Sequence, residues 1–155
     1  MNEVSSALYT SISEVMVQMA GEEALVRSPS AAEVATFHTA YFAHMDLVNE
    51  DKTPTGKWME VYLNAESTIE LVNRFIGFPD EGPTEEDNID GVNELLNVIA
   101  GGVKARLAGT EDHFYLTVPT AANVSDKDQY PTACPPVINV IVEFEDGKYL
   151  VSYSI

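Results

Sequence analysis

The sequence has one cysteine, eight basic residues and no long apolar run. Each shortage excludes something. A single thiol, Cys134, rules out an internal disulfide and any multi-cysteine metal site. Eight Lys and Arg stand against 25 Asp and Glu, a net charge of −17. No basic patch is then available for nucleic acid or an anionic membrane, so neither is expected as a partner. No apolar stretch approaches the ~18 residues of a spanning helix. The opening MNEVSSALYT lacks the basic n-region of a signal peptide, and a cytoplasmic location is the expectation. There is no G-x-S-x-G turn and no phosphate-binding glycine loop. His38 and His44 share a parity on one predicted strand, roughly 20 Å apart, too far to ligate one metal. His113 stands alone in an acidic loop. No cofactor or metal of the chain's own is expected.

What is present is enough for one domain, residues 1–155, with a proper core. The longest unbroken helical period runs from Thr84 to Gly109. Ile89, Val92, Leu96, Ile99, Val103 and Leu107 recur at steps of three or four and line one face. Thr84 with Asp87 makes a capping-box-like start, and Gly109 is a stop. On the opposite face Asp90, Glu94, Asn97 and Gly101 fall in one narrow stripe. A carboxylate and a carboxamide three residues apart there have Cβ atoms roughly 5–6 Å apart. The glycine one turn on would let a partner approach closely. On helix physics alone, this stripe reads as an ordinary solvated face with tolerated glycines rather than as a functional one.

The rest of the chain alternates helix and strand signals. Ser5 or Ser6 caps a first helix to about Ala20, with Leu8, Ile12, Val15 and Met19 inward and Gly21 ending it. Residues 22–33 form a loop with room for one short strand. Residues 34–48 read as a strand with Phe37, Tyr41, Met45 and Leu47 on one parity. A turn, NEDKTPTG, leads to a strand Lys57 to Leu63. Asn64 caps a helix Ala65 to Ile76, with Ile69, Val72 and Ile76 inward and Gly77 as stop. Phe114, Leu116 and Val118 alternate, and 119–136 is a proline-bearing loop. Residues 137–144 and 148–155 form a hairpin around Glu145-Asp146-Gly147. The result is an α+β fold, helices packed on a mainly antiparallel sheet of about six strands.

Two segments recur in order. SEVMVQMAG (13–21) matches NELLNVIAG (93–101), and GKWMEVYL (56–63) matches GKYLVSYS (147–154). This suggests two halves, about 1–78 and 79–155, related by a pseudo-twofold axis. Glu14 then matches Glu94, but Val17 stands where Asn97 stands.

The stretch DGVNELLNVIAGGVKARL resembles the signature of the CheX/CheC/FliY family of response-regulator phosphatases, and most closely its CheX-like members. That signature is an acidic or serine residue, three residues, Glu, two residues, Asn, here Asp90, Glu94 and Asn97, with a later proline matched by Pro119. The helices, paired strands and final hairpin fit in order. The resemblance implies removal of phosphate from the aspartyl phosphate of a CheY-like receiver domain, in chemotaxis or another two-component pathway. Asn97 would orient the attacking water and Glu94 would contact a lysine of the receiver. Asp90, Gly101 and Lys104 would be partner contacts. The Mg2+ would belong to the receiver. A homodimer through an edge strand is expected, by family analogy and from the apolar face of the last strand. The alternative is a receiver-binding or scaffold module without catalysis. Gly102 stands where CheX-like sequences commonly carry Asn. The acidity of the chain opposes encounter with an acidic receiver pocket, which Lys104 and Arg106 would soften.

Overall fold

The computed structural model describes residues 2–77, 80–127 and 137–155. The first helix, α1 (Glu3–Val15), is capped by Asn2, whose Oδ1 accepts from the Ser5 amide at 2.8 Å. Ser5 and Ser6 therefore lie inside the helix rather than at its cap. A π-helical turn, Met16–Ala20, continues α1 to Gly21. The wider turn shifts the inward stripe, so Met16 and Ala20 are buried and Met19 is only half-buried. Next come β1 (Leu25–Arg27) and a short helix, α2 (Ala31–Ala35). Residues 34–40 are thus not strand, because Ser30 and Glu33 form a capping box that starts α2.

The strand β2 (Tyr41–Val48) turns into β3 (Pro54–Leu63), and Asn64 caps α3 (Ala65–Ile76). Within α3 the buried side is Ser67, Thr68, Leu71 and Val72. Ile69 and Ile76, assigned inward on periodicity, are 41% and 47% exposed. The inward stripe of α3 is rotated toward small hydroxyl side chains because the helix sits close on the sheet: Ser67 Oγ accepts from the Lys148 amide at 3.0 Å. The signature helix is α4 (Glu85–Arg106). It is followed by β4 (Tyr115–Leu116), β5 (Thr120–Asn123), β6 (Val137–Phe144) and β7 (Gly147–Ser154). Val118 is not part of a strand and is 88% exposed. Part of the expected 119–136 loop is β5, and Cys134 lies outside the described residues.

Seven strands pair, all antiparallel, in the order β1-β6-β7-β3-β2-β4, with β5 also on β2. The short strands lie at the two edges: β1 lies on β6, and β4 and β5 lie on β2. The central register between β3 and β7 is symmetric about its middle pairs. If Gly56 is matched to Gly147, the pair Met59 and Tyr153 maps onto Leu150 and Tyr62, which are also paired. The last strand, β7, lies between β6 and β3. It is a central strand, buried from Tyr149 to Ser154, and offers no edge for a second copy.

One face of the sheet carries α1, α3 and α4 over a core that includes Met45, Met59, Val61, Val140, Tyr149, Val151 and Tyr153. On the other face α2 places Val34 and Phe37 over Tyr62, Ile141 and Leu150. The core holds α4 along most of its length, which leaves its outer stripe as a rigidly mounted surface.

Candidate active site

Both ends of α4 are tied down. At its start, Thr84 Oγ1 accepts from the Asp87 amide (3.1 Å) and Asp87 Oδ2 accepts from the Thr84 amide (2.9 Å). Tyr41 on β2 donates its hydroxyl to the Glu85 carboxylate and accepts from Asn88 Nδ2 at 3.3 Å. Burial, with the Glu85 carboxylate beside it, pushes the Tyr41 phenol above its usual pKa and keeps it a donor. At the end, Arg106 Nη1 donates to Ser11 Oγ (3.2 Å) and Nη2 lies 2.5 Å from Glu14 Oε2, which joins α4 to α1. Three acids in the first turn and Lys104 and Arg106 in the last suit the helix dipole.

Inward, Val92, Leu95, Leu96, Ile99, Ala100 and Val103 are buried. Outward, Asp90, Glu94 and Asn97 are exposed. Glu94 and Asn97, with Asn93, line one wall of an open groove of about 700 Å³. Lys52, Val118 and Pro119 contribute to its other side, above Val48 and Leu116. Neither Glu94 nor Asn97 has a hydrogen-bond or ion-pair partner among the described residues, so both are free to engage a ligand.

The strand pairing explains how Pro119 reaches the groove. Leu116 of β4 pairs with Leu47, and Thr120 of β5 pairs with His44, both on β2. Pro119 falls in the gap between these two short strands. With no N–H it cannot extend the ladder, so it interrupts it there. Thr117 Oγ1 anchors the gap by donating to the Asp46 carbonyl at 2.7 Å.

The structure thus brings together Glu94, Asn97 and Pro119. The other expected contacts lie outside the groove's lining. Asp90 is an exposed position one turn before Glu94. Gly101 faces open space, with nothing within 4 Å of where a Cβ would stand. Lys104 packs its ammonium over the Tyr115 ring, 4.9 Å from the centroid. Lys52 and Asn93 were not singled out from sequence, and Val118 was read only as part of a strand pattern. Asn93 adjoins the Glu94 signature position, and its side-chain oxygen is buried with no partner among the described residues. Lys52 and Val118 sit in a turn and a strand gap, and no helical period points to them.

The first half supplies a contrast. Ser13, Glu14 and Val17 line a smaller hollow of about 390 Å³ at the π-helical turn. Val17 is 51% exposed in the place of Asn97, and Glu14 is held by Arg106.

The family model described as "Chemotaxis phosphatase CheX" matches residues 59–141, more than half of the chain and all of the Glu94, Asn97 and Pro119 positions. The chain belongs to the CheX family. A comparison with curated proteins finds no match. Among solved structures, a CheC-like superfamily protein from Shewanella sp. PV-4 superposes with a TM-score of 0.76 at 19% identity, over 99% of this chain and 97% of that one. The chemotaxis protein CheX from Vibrio vulnificus gives 0.73 at 17% identity, over 99% and 96%. The CheX–CheY–BeF3–Mg2+ complex from Borrelia burgdorferi gives 0.69 at 15% identity, over 97% and 96%. At these identities the likeness is one of fold. The CheX fold therefore spans the whole chain, including α1 and its hollow, which lie outside the matched 59–141.

Proposed function

We propose that this CheX-family chain hydrolyses the aspartyl phosphate of a CheY-like receiver domain. The observation that carries the reading is that Glu94 and Asn97 are exposed, unpaired and rigidly mounted in one groove with Pro119. In this reaction a water oxygen attacks phosphorus, the bond from phosphorus to the aspartyl oxygen breaks, and phosphate leaves with the carboxylate restored. The barrier is lowered chiefly by positioning and charge placement. Asn97 suits the positioning role: its carbonyl can accept from the water while its amide donates to a phosphoryl oxygen, without adding negative charge. Glu94, one turn away on the same face, suits an ion pair with a cation of the receiver, which would fix the helix in register. Asp90 and Gly101 extend the same stripe and would lie at the contact's margin. Mg2+ would be the receiver's own. A CheX-family relative forms the complex with CheY named above, which supports a receiver as the partner.

The test is loss of phosphate from Mg2+-loaded, phosphorylated receivers with and without this chain, with Asn97→Ala alongside. Acceleration that depends on Asn97 is the expected result. Receiver binding with no acceleration would establish instead a non-catalytic docking module. Self-association as a homodimer is part of the same proposal. It would have to use the β1 edge or the β4/β5 edge, and sedimentation at micromolar concentration reads it.

A further inference from the structure

We propose that Lys52 is the docking cation of the Glu94–Asn97 groove, the residue that draws an acidic, phosphorylated surface into an otherwise acidic protein. The proposal rests on the receiver reading above. The difficulty it resolves is electrostatic. The chain carries a net charge of −17, and a phosphorylated aspartyl site is itself anionic. Such a pair repels on approach unless a positive charge stands at the point of contact.

Most of the basic residues are committed elsewhere. Arg27 pairs with Glu33 and Glu143, both at 2.6 Å. Arg74 pairs with Glu22 and, at 2.7 Å, with Asp146. Arg106 holds Glu14 and Lys57 lies 3.7 Å from Asp112. Lys104 covers Tyr115. Lys127 and Lys148 do not line the groove. Lys52 does line it, and it has no ion-pair partner among the described residues.

The backbone at Lys52 points the same way. Its φ is 68°, the single left-handed non-glycine residue among those described. Glycine or asparagine is the residue such a position favours. The turn that imposes this conformation is closely tied. The Asn49 amide donates to the Thr53 carbonyl and the Lys52 amide to the Asn49 carbonyl, both at 2.9 Å. Asp51 Oδ1 accepts from the Thr53 amide at 3.0 Å and from its hydroxyl at 2.5 Å. The conformation also sorts the charges. Glu50 and Asp51 line a separate hollow with Asn49 and Thr53, whereas Lys52 alone of this turn lines the groove. A strained lysine kept where glycine would fit better is explained if its side chain is used.

The experiment compares the wild type with Lys52→Gly and Lys52→Arg in receiver dephosphorylation across a salt series, and measures receiver binding in the Asn97→Ala background. Lys52→Gly is expected to raise the melting temperature by about 2–4 °C, because it relieves the left-handed backbone. It should nonetheless raise KM about tenfold, leave kcat within about twofold and flatten the salt dependence of kcat/KM. Lys52→Arg should keep the wild-type KM. The same tenfold loss should appear in receiver binding, which does not depend on turnover. A Lys52→Gly chain with wild-type KM, affinity and salt slope overturns the role of Lys52 and leaves the phosphatase reading intact. A wild type that neither binds nor dephosphorylates any receiver overturns both.

Discussion

Glu14 Oε2 lies 2.5 Å from Arg106 Nη2, whereas Glu94, its counterpart in the repeat, has no ion pair among the described residues. The same residue type in a matching stretch of helical sequence stands in two different environments. In the first half the carboxylate fastens α1 to α4. In the second it is left available on the outer face.

Substitution tests whether the two carboxylates also differ in role. Glu14→Gln should cost no more than about 1 kcal/mol in urea unfolding, because the pair is partly solvated, and should leave dephosphorylation unchanged. Glu94→Gln should leave stability within about 0.5 kcal/mol and lower kcat/KM by at least about tenfold. Equal kinetic effects of the two would contradict the division of roles.

Asn97 is exposed and its side chain has no hydrogen-bond partner among the described residues, so Asn97→Ala should fold with a melting temperature no lower than the wild type's. The rate of receiver dephosphorylation should fall about 10²-fold, the scale of losing a positioned reactant. Val17→Asn, which places an asparagine three residues after Glu14, should add no second activity, since Glu14 is already bound by Arg106.

Two of the three glycines of α4, Gly91 and Gly101, should behave oppositely. A Cβ on Gly91 would lie 2.6 Å from Val72 Cγ2, where α3 crosses closely. Gly91→Ala is therefore expected to destabilise by about 1–3 kcal/mol, partly rescued by Val72→Ala. Gly101 meets nothing within 4 Å, so Gly101→Ala should stabilise by about 1 kcal/mol through helix propensity. If a partner packs against this helix face, that stabilised variant should bind a receiver more weakly. Chemical denaturation and a binding titration read the two effects.

His44 on β2 gives a pH signature. Its burial opposes protonation, but hydrogen bonds to Glu60 (2.8 Å) and Asp46 (2.9 Å), with the two carboxylate charges, outweigh it and raise the pKa above its usual value of 6.5. A raised folded-state pKa means the stabilisation is fully present below about pH 6.5 and is lost as pH rises through the folded value. His44→Gln should therefore be less stable than wild type at about pH 5.5. The gap should narrow steadily toward about pH 9. A gap that widens with pH would reverse the assignment.

By itself the sequence determined α4, its capping box, the hairpin of β6 and β7, and the pairing of Glu94 with Asn97 on one helix face. These are local properties: a 3.6-residue period and a cap are written within a few turns of chain. It also carried the repeat, and with it the contrast between Asn97 and Val17. It did not determine which side of α3 faces inward, because close approach to β7 and α4 turned small residues inward and left Ile69 and Ile76 outside. It did not place the last strand, since a hairpin's own pattern does not say which neighbour pairs with its free side. The groove itself was decided only by tertiary structure. Pro119 was legible as the later proline of the signature, but Lys52 and Val118 come from a turn and a strand gap that no local pattern marks, and the shared attachment to β2 brings all three opposite Glu94 and Asn97.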